Sequence, residues 1–252
     1  MSEPIISTAP QGAPTPDPSD PVRALVAHAD DNLILAQRLG EWISRAPELE
    51  EDIAIGNIAL DHLGVARALY THAGQLEGKE RTEDDFAMRR PEREFLNVLL
   101  VEQPNGDFAQ TMVRGLFFDA YQVELWADLS VSEDTTLAGI AGRALKEARY
   151  HLLHSSTWVI RLGDGTDESH TRAQTAVDTL WRYTAELFEG AASGYHDIWE
   201  KIVNDILDEA RLQIPDDPYQ RGGGRRGFHS EHLGPLLAEM QWMQHSHPGQ
   251  EW

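Results

Sequence analysis

The chain has 252 residues, of which 41% are hydrophobic, and its 42 acidic and 21 basic residues give a formal net charge of −21. This charge argues against binding to a nucleic-acid backbone or to an anionic membrane, because both would repel the protein. Cysteine is absent, which excludes disulfides, thiolate metal sites and a cysteine nucleophile and favours an intracellular location. No apolar run approaches the ~18 residues needed to span a bilayer, and no secretory signal pattern is present. We therefore expect a cytoplasmic protein without a nucleic-acid or membrane partner.

The first 20 residues differ in composition from the rest of the chain. They contain five prolines together with Ser, Thr, Gly and Asp, and almost no large apolar side chains. Such a segment cannot bury enough surface to offset the entropy lost on ordering. The sequence therefore predicts a disordered Pro-rich tail at residues 1–20, followed by a single helical domain at residues 21–252.

Beyond the tail, apolar residues recur at alternating spacings of three and four, which predicts amphipathic helices. One apolar stripe runs from Val22 to Ile43, and Pro47 breaks it and opens a second helix. Asp107 and Asp134 are placed to cap a third and a fourth long helix. Alternating strand patterns and internal repeats are absent from the sequence. Four long helices with shorter ones around them indicate an all-α helical bundle. The shorter segments are at residues 95–101, 173–188, 195–212 and 229–244.

A glycine-rich basic stretch lies near the C-terminus, at residues 221–227. It combines Arg221, Arg225 and Arg226 with four glycines in an otherwise acidic chain. Such a composition predicts a flexible basic loop. Ser230 follows as a plausible N-cap of the last helix, with Glu231 in the first turn.

Polar residues on the fourth helix suggest a metal-binding arrangement. Glu147, Tyr150, His151 and His154 fall on one helical face. Carboxylate-bridged di-iron bundles use Glu and His at such spacing: two helices each supply Glu-x-x-His, and two others each supply a carboxylate. This chain does not supply that set, because Ala148 stands three residues before His151 where a glutamate would be needed.

The other long helices offer only partial replacements for those ligands. On the second helix, His62 has no histidine partner at the required spacing, since Val65 occupies that position. Asp119 lies within an apolar run of the third helix and is a plausible inward carboxylate, with Glu124 a weaker candidate. On the first helix, Asn32 faces inward, whereas Glu41 falls on the polar side.

Each of these residues also has a purely structural explanation. His151 can be a hydrogen-bonded core histidine, and Asp119 can be paired with Arg, Tyr or His inside the bundle. Glu147 can pair with Arg143 or His151 on its own helix. His62 can lie either at the surface or in the interior.

Signatures of several other chemistries are absent from the sequence. There is no phosphate-binding glycine loop, no Gly-x-Ser-x-Gly nucleophile turn and no His-Glu-x-x-His zinc motif. The triple glycine at residues 222–224 does not follow a strand, so it does not indicate a dinucleotide site.

Several stretches together resemble the structural (C) subunits of the bacterial ring-epoxidising phenylacetyl-CoA epoxidases. Their order and spacing match that family, and the resemblance covers roughly residues 22–252. The stretches are Arg38–Trp42 followed by Ala46–Glu50, Leu99–Gly106, Lys146–Leu152, Leu180–Phe188 and Gly222–Gln241.

The resemblance implies a ferritin-like four-helix bundle with additional flanking helices. It also implies a role in aerobic phenylacetate catabolism, where an NADPH-linked multicomponent oxygenase epoxidises the aromatic ring of phenylacetyl-CoA. In that family the structural subunit pairs with the homologous di-iron catalytic (A) subunit and has lost its own di-iron site. A small B subunit and a separate reductase complete the system. We therefore expect a hetero-oligomer in which the partner, and not this chain, holds the two irons.

The resemblance also assigns six former di-iron positions in this sequence. Two of them, Asp119 and His151, keep the ligand type expected there, and His62 offers a different one. Two or three ligands cannot hold two irons that need six, so we assign this chain no metal and no catalytic residue. The six positions are Asn32, His62, Val65, Asp119, Ala148 and His151.

Three functional hypotheses follow from the sequence. The first is a non-catalytic subunit that contacts its partner through the first two helices, with Arg221, Arg225 and Arg226 meeting an acidic partner surface or a CoA phosphate. The second is a di-iron oxygenase active in its own right. The third is a helical interaction protein unrelated to oxygenases. The ligands that the second hypothesis would need are Glu41, Glu124, Glu147 and His151.

Overall fold

The computed structural model describes residues 20–216 and 219–250. The predicted disordered tail lies outside the described residues, except for Asp20. Within the described ranges every regular element is a helix or a 3-10 turn. The helices are α1 (Pro21–Gly40), α2 (Leu49–Glu77), α3 (Glu83–Ala87), α4 (Leu99–Glu102), α5 (Phe108–Leu129), α6 (Thr135–Gly163), α7 (Asp167–Leu180), α8 (His196–Glu209), α9 (Leu233–Met240) and α10 (Trp242–Ser246). The 3-10 turns are Glu92–Glu94, Trp181–Tyr183, Ala185–Phe188, Gly190–Tyr195 and Gly224–Arg226.

The four long helices α1, α2, α5 and α6 form a bundle of two helical pairs. Helix α1 packs mainly against α2, α5 packs mainly against α6, and α2 also contacts α6. One long connection, residues 78–107, joins the two pairs, as in ferritin-like bundles. Helices α7 and α8 cover the α5–α6 pair. The predicted all-α, ferritin-like bundle with flanking helices is therefore confirmed.

Short polar side chains set the starts of the long helices. The carboxylate of Asp20 accepts a hydrogen bond from the backbone N–H of Val22 at the start of α1. Asp107 and Asp134 cap α5 and α6 in the same way, as predicted. Helix α2 ends at Gly78, whose left-handed backbone (φ 68°) suits a residue without Cβ. These caps fix the register of the helices that carry the inward polar residues.

The last predicted helix begins later than its sequence indicates. Helix α9 starts at Leu233 and not near His229, and Ser230 is not its N-cap. The reason is that the backbone N–H of Ser230 donates to Glu102 Oε1 at 2.6 Å, which holds this part of the chain outside the helix. Glu231 accordingly lies before the helix and not in its first turn.

The core between the helices is continuous and rich in aromatic side chains. Trp126 and Trp199 are fully buried, and the indole N–H of Trp199 donates to the backbone carbonyl of Phe117 at 2.8 Å. Most of the described tryptophans therefore contribute to the core, while Trp242 is 60% exposed. In the described part of the chain, no helix has the length and apolar character needed to cross a membrane.

Candidate functional site

The six residues that the resemblance assigns to former ligand positions face one region inside the bundle. Each is at most 5% exposed. Five of them line a cavity of about 10 Å³, and the sixth, Asp119, lines a neighbouring cavity of about 20 Å³ together with His62. They are Asn32 on α1, His62 and Val65 on α2, Asp119 on α5, and Ala148 and His151 on α6.

The orientation of His62 is fixed by its neighbours on α1. The side-chain amide N–H of Asn32 donates to the backbone carbonyl of His28 at 2.8 Å, so the amide oxygen of Asn32 faces His62. His62 Nδ1 lies 2.8 Å from that oxygen and must be the donor. The other ring nitrogen, Nε2, is buried and has no hydrogen-bond partner. Burial, with a smaller effect of His151, keeps the pKa of His62 well below its ordinary value, so the imidazole is neutral.

Asp119 is a buried carboxylate with little compensation for its charge. Its Oδ2 accepts a hydrogen bond from the Ser155 hydroxyl at 2.8 Å. Burial raises the pKa of Asp119 to about 7. The nearby Arg114 directs its guanidinium to the backbone carbonyl of Gln103 and to the side-chain oxygen of Asn105, each at 2.6 Å. The expected pairing of Asp119 with Arg, Tyr or His is therefore replaced by a hydroxyl.

His151 completes the cluster from α6. Its Nε2 lies 3.1 Å from Asp61 Oδ2, so it is a hydrogen-bonded interior histidine. Burial lowers the pKa of His151, and the Asp61 carboxylate offsets only part of this effect. The rings of His62 and His151 have centroids 4.9 Å apart. His62, Asp119 and His151 each offer one ligand atom, and the three atoms lie within 4.8 Å of one another.

These residues do not fit a centre of two irons. Val65 and Ala148 carry no donor atom, and the amide of Asn32 is already held by His28 and His62. Three of the six positions therefore cannot contribute a carboxylate or imidazole, whereas a di-iron bundle site uses four carboxylates and two histidines.

Of the carboxylates invoked by the di-iron hypothesis, Glu147 lines the cavity and the other two do not. Glu41 pairs with Arg38 at 2.8 Å and is partly exposed. Glu147 lies 3.9 Å from Arg143 at the rim of the cavity. Glu124 is only partly buried. Among the six assigned positions, the side chains that can ligate a metal are two imidazoles and one carboxylate.

Comparison with known proteins identifies the family of the chain. Residues 6–252 match a family described as "Phenylacetic acid catabolic protein". The chain belongs to this family. It is 49% identical over 237 residues to the C subunit of the 1,2-phenylacetyl-CoA epoxidase of Escherichia coli (strain K12), an alignment that covers 88% of this chain and 95% of that protein.

Three of the stretches that carry the family resemblance, Leu99–Gly106, Leu180–Phe188 and Gly222–Gln241, meet at a second polar region, the C-terminal clasp. We use this name for residues 222–230 and the groups that hold them. Arg225 reaches back to α1, where its two terminal nitrogens contact the two oxygens of Asp31 at 3.0 and 2.7 Å. Burial alone would lower the pKa of Arg225, but the Asp31 carboxylate outweighs this effect and raises the pKa above its ordinary value. Asp31 also accepts from the backbone N–H of Val98 at 2.8 Å.

Two glutamates hold the backbone of the clasp. Glu186 accepts from the backbone N–H groups of Leu99 and Gly223 at 2.7 and 2.8 Å. Glu102 lies 2.9 Å from His229 Nδ1. Burial lowers the pKa of His229, but Glu102 outweighs it, so this pKa stands above its ordinary value. Both glutamates are at most 2% exposed.

The prediction of a flexible loop is therefore wrong for this segment. A Cβ on Gly224 would lie 2.0 Å from the carbonyl oxygen of Asn97, so the backbone is packed too tightly for any side chain. The three arginines of the basic stretch also differ in role. Arg225 is engaged inside the molecule, whereas Arg221 and Arg226 are exposed.

Sequence reasoning missed the buried charges on α1. Asp30 and Asp31 are fully buried, and Asp30 bonds the guanidinium of Arg90 and the hydroxyl of Tyr70. A signal was present, because Asp30 stands four residues from both Val26 and Ile34 on the apolar stripe. No local pattern, however, identifies the partners, which lie 60 and 194 residues away for Asp30 and Asp31 respectively.

Proposed function

We propose that this chain is the non-catalytic structural subunit of a multicomponent phenylacetyl-CoA epoxidase, acting in aerobic phenylacetate catabolism. In this proposal it pairs with and stabilises a homologous di-iron catalytic subunit. The observation that carries the proposal is the pair of apolar residues, Val65 and Ala148, inside the cavity where a di-iron centre needs ligands. The 49% identity to the C subunit of such an epoxidase supports the choice of complex.

The proposal places the other components outside this chain. The two irons belong to the catalytic subunit, and electrons from NADPH reach them through a separate reductase. A small B subunit completes a cytoplasmic hetero-oligomer. This chain contributes a rigid surface and no redox group.

Exposed apolar side chains support a docking face on α2 and α6. Leu49, Ile53 and Leu60 on α2 are 71, 57 and 64% exposed, and Tyr150 and Leu153 on α6 are 56 and 64% exposed. The two helices are neighbours in the bundle, and we infer that these side chains contribute to one surface. Helix α1 is buried along most of its length, which leaves it little area for a partner. We therefore propose α2 and α6, in place of α1 and α2, as the contact.

Co-purification with the catalytic subunit tests the assembly. We expect the wild-type chain to co-elute with that subunit in size-exclusion chromatography. Charged residues on the docking face should abolish co-elution, so the double variant Ile53→Asp/Leu60→Asp is the test. Ile198→Asp on α8, where Ile198 is 49% exposed, is the matched control and should still assemble. Co-elution of the double variant would contradict the docking face.

Iron analysis and turnover test the non-catalytic role. The chain purified alone from iron-replete cells should contain close to zero iron per chain and should not epoxidise phenylacetyl-CoA with oxygen, NADPH and reductase. Adding the catalytic subunit should restore turnover. A chain that holds two irons, or that turns over by itself, would favour the alternative of a di-iron oxygenase in its own right.

Arg221 and Arg226 are the exposed members of the basic stretch, and we propose that they meet an acidic partner surface or a CoA phosphate. The double variant Arg221→Ala/Arg226→Ala should weaken affinity for the partner or for phenylacetyl-CoA by about tenfold or more. Arg211→Ala, at another exposed arginine, is the control. Unchanged affinities for both ligands would contradict this contact.

A further inference from the structure

We propose that His62, Asp119 and His151 bind a single divalent cation of the zinc type, which joins three helices of the bundle. The three side chains come from α2, α5 and α6, and their ligand atoms lie within 4.8 Å of one another. All three are at most 5% exposed. This site is distinct from a di-iron centre, because it uses three ligands and one metal, and it goes beyond the role of a docking subunit.

The unpartnered nitrogen of His62 is the first step in this argument. Asn32 fixes the proton on Nδ1, so Nε2 carries a lone pair. A buried lone pair without a donor costs free energy, and native proteins rarely leave one uncompensated. A metal ligated by one ring nitrogen, with the other donating to an amide or carboxylate oxygen, is the usual arrangement of a histidine ligand.

The other two ligands have the same kind of outer support. Asp61 accepts from His151 Nε2–H at 3.1 Å, which leaves Nδ1 as the ring nitrogen with a lone pair. The hydroxyl of Ser155 binds one oxygen of Asp119 at 2.8 Å, and the second oxygen is available to a cation. Each of the three ligands is therefore oriented by a different neighbour, as in natural metal sites.

The dimensions favour one cation with four ligands. Zinc bonds of about 2.0–2.1 Å place tetrahedral donors roughly 3.4 Å apart, so the three atoms need to approach by at most about 1.4 Å from a separation within 4.8 Å. The adjoining cavity of about 10 Å³ has room for about one water as the fourth ligand. An octahedral ion would need three further ligands, for which this cavity is too small.

The charge balance also suits a divalent ion. A cation beside Asp119 would supply the positive charge that Arg114 does not supply by contact, since Arg114 binds Gln103 and Asn105. Two neutral imidazoles and one carboxylate leave a net charge of +1 on the centre, and the carboxylates of Asp61 and Glu147 lie at the rim of the cavity. The bound ion would act as a cross-link between α2, α5 and α6, in addition to the hydrogen bonds from His151 to Asp61 and from Ser155 to Asp119.

Metal titration of the full chain tests the site. The purified protein is stripped with a chelator and titrated with Zn²⁺ and, separately, with Co²⁺, whose visible absorption reports four-coordination. We expect one ion per chain, the Co²⁺ spectrum of a tetrahedral N₂O₂ site in which water supplies the second oxygen, and a rise in Tm of about 5–10 °C at a hundredfold excess over Kd. Absence of binding by the folded protein, or a Co²⁺ spectrum typical of six water and carboxylate ligands, would overturn the proposal.

Matched variants separate this site from adventitious binding. His62→Gln retains a donor for Asn32, and Asp119→Asn retains an acceptor for Ser155, so both should fold; far-ultraviolet circular dichroism checks this. Each should lower Zn²⁺ affinity at least a hundredfold. His72→Gln removes another buried histidine of α2, whose Nδ1 also lacks a hydrogen-bond partner, and should keep the wild-type affinity.

If Zn²⁺ binds the His62 and Asp119 variants as tightly as the wild type, the binding is adventitious binding at the surface and the proposal is wrong. Two ions per chain, both lost in these variants, would also contradict it. The result is read on the chain alone, so it is independent of the co-purification test with the catalytic subunit.

Discussion

The bundle cavity and the C-terminal clasp both bury charged groups, but they satisfy them to different degrees. In the clasp, Asp31 receives two guanidinium bonds and a backbone N–H, and Glu186 receives several backbone N–H groups. In the cavity, Asp119 receives one hydroxyl, and Nε2 of His62 receives nothing. A fully bonded buried charge holds a fold together, whereas an incompletely bonded one marks a place where a further group can bind.

The largest expected effect on stability comes from removing a charged residue of the C-terminal clasp, where the buried charges are fully hydrogen-bonded. Asp31→Leu leaves the guanidinium of Arg225 buried without its partner and should lower the free energy of unfolding by about 3–5 kcal/mol. The double variant Asp31→Leu/Arg225→Met removes both charges and should recover much of this loss. Urea denaturation measures both. A single variant within about 1 kcal/mol of wild type would show that the clasp does not depend on the ion pair.

Removing the buried carboxylate of Asp119 from the cavity should instead raise the free energy of unfolding at neutral and alkaline pH. The pKa of Asp119 is raised from 3.8 to about 7 by burial, so the folded protein retains a proton that the unfolded chain releases above about pH 4. The contribution of Asp119 to stability therefore falls as pH rises from about 4 to 7, by up to about 4 kcal/mol.

Asp119→Asn cannot ionise and should remove this contribution to the pH dependence in chelator-treated protein. At pH 8 the variant should be more stable than wild type by up to about 4 kcal/mol, and the difference should vanish below about pH 3. Urea denaturation across this pH range measures the difference. Parallel stability curves for the two proteins would contradict the assignment of Asp119 as an uncompensated carboxylate.

Backbone packing offers a smaller test of the comparison. Gly224→Ala places a methyl group against the carbonyl oxygen of Asn97, 2.0 Å away, and should destabilise the clasp by about 1–3 kcal/mol. Gly142→Ala in α6, where a Cβ meets no atom within 4 Å, should instead stabilise the protein by about 0.5–1 kcal/mol. Thermal unfolding of the two variants shows whether each substitution lowers or raises Tm. Equal changes in Tm would mean that the backbone of the clasp can shift to make room for the methyl group.

The smallest expected effect is at an exposed ion pair. Lys201 and Asp205 on α8 are 2.6 Å apart, but their side chains are 75 and 66% exposed. Lys201→Ala should change the free energy of unfolding by no more than about 0.5 kcal/mol. If Lys201→Ala lowered the free energy of unfolding as much as Asp31→Leu does, burial would not explain why the clasp ion pair matters more than the exposed one.

The sequence alone predicted the fold well where the signal was local. The apolar stripes and the caps at Asp107 and Asp134 identified the four long helices, because these features depend on residues within a few positions of one another. The six cavity positions came from the family resemblance and not from periodicity. Their hydrogen bonds, such as that between Asn32 and His62, depend on the packing of separate helices and could not be derived from either.

The clasp could not be predicted for a related reason. Glycines beside arginines usually indicate a mobile loop, and nothing near Arg225 in sequence indicates that its partner is on α1. The family motif around Glu102 is now explained by its position, since it binds His229 and the backbone of Ser230. Glu102 therefore has a structural role within its motif.

The span of the Asp31–Arg225 pair has a consequence for how the protein is made. The two residues are 194 positions apart, so α1 leaves the ribosome long before the residue that neutralises its buried carboxylate. The bundle cannot reach its final stability until nearly the whole chain has been synthesised. A product that stops before Arg225 would retain an unpaired charge in its interior and would be exposed to proteolysis. We therefore expect chains that stop before Arg225 to be degraded faster than full-length chains, which links completion of synthesis to survival of the subunit.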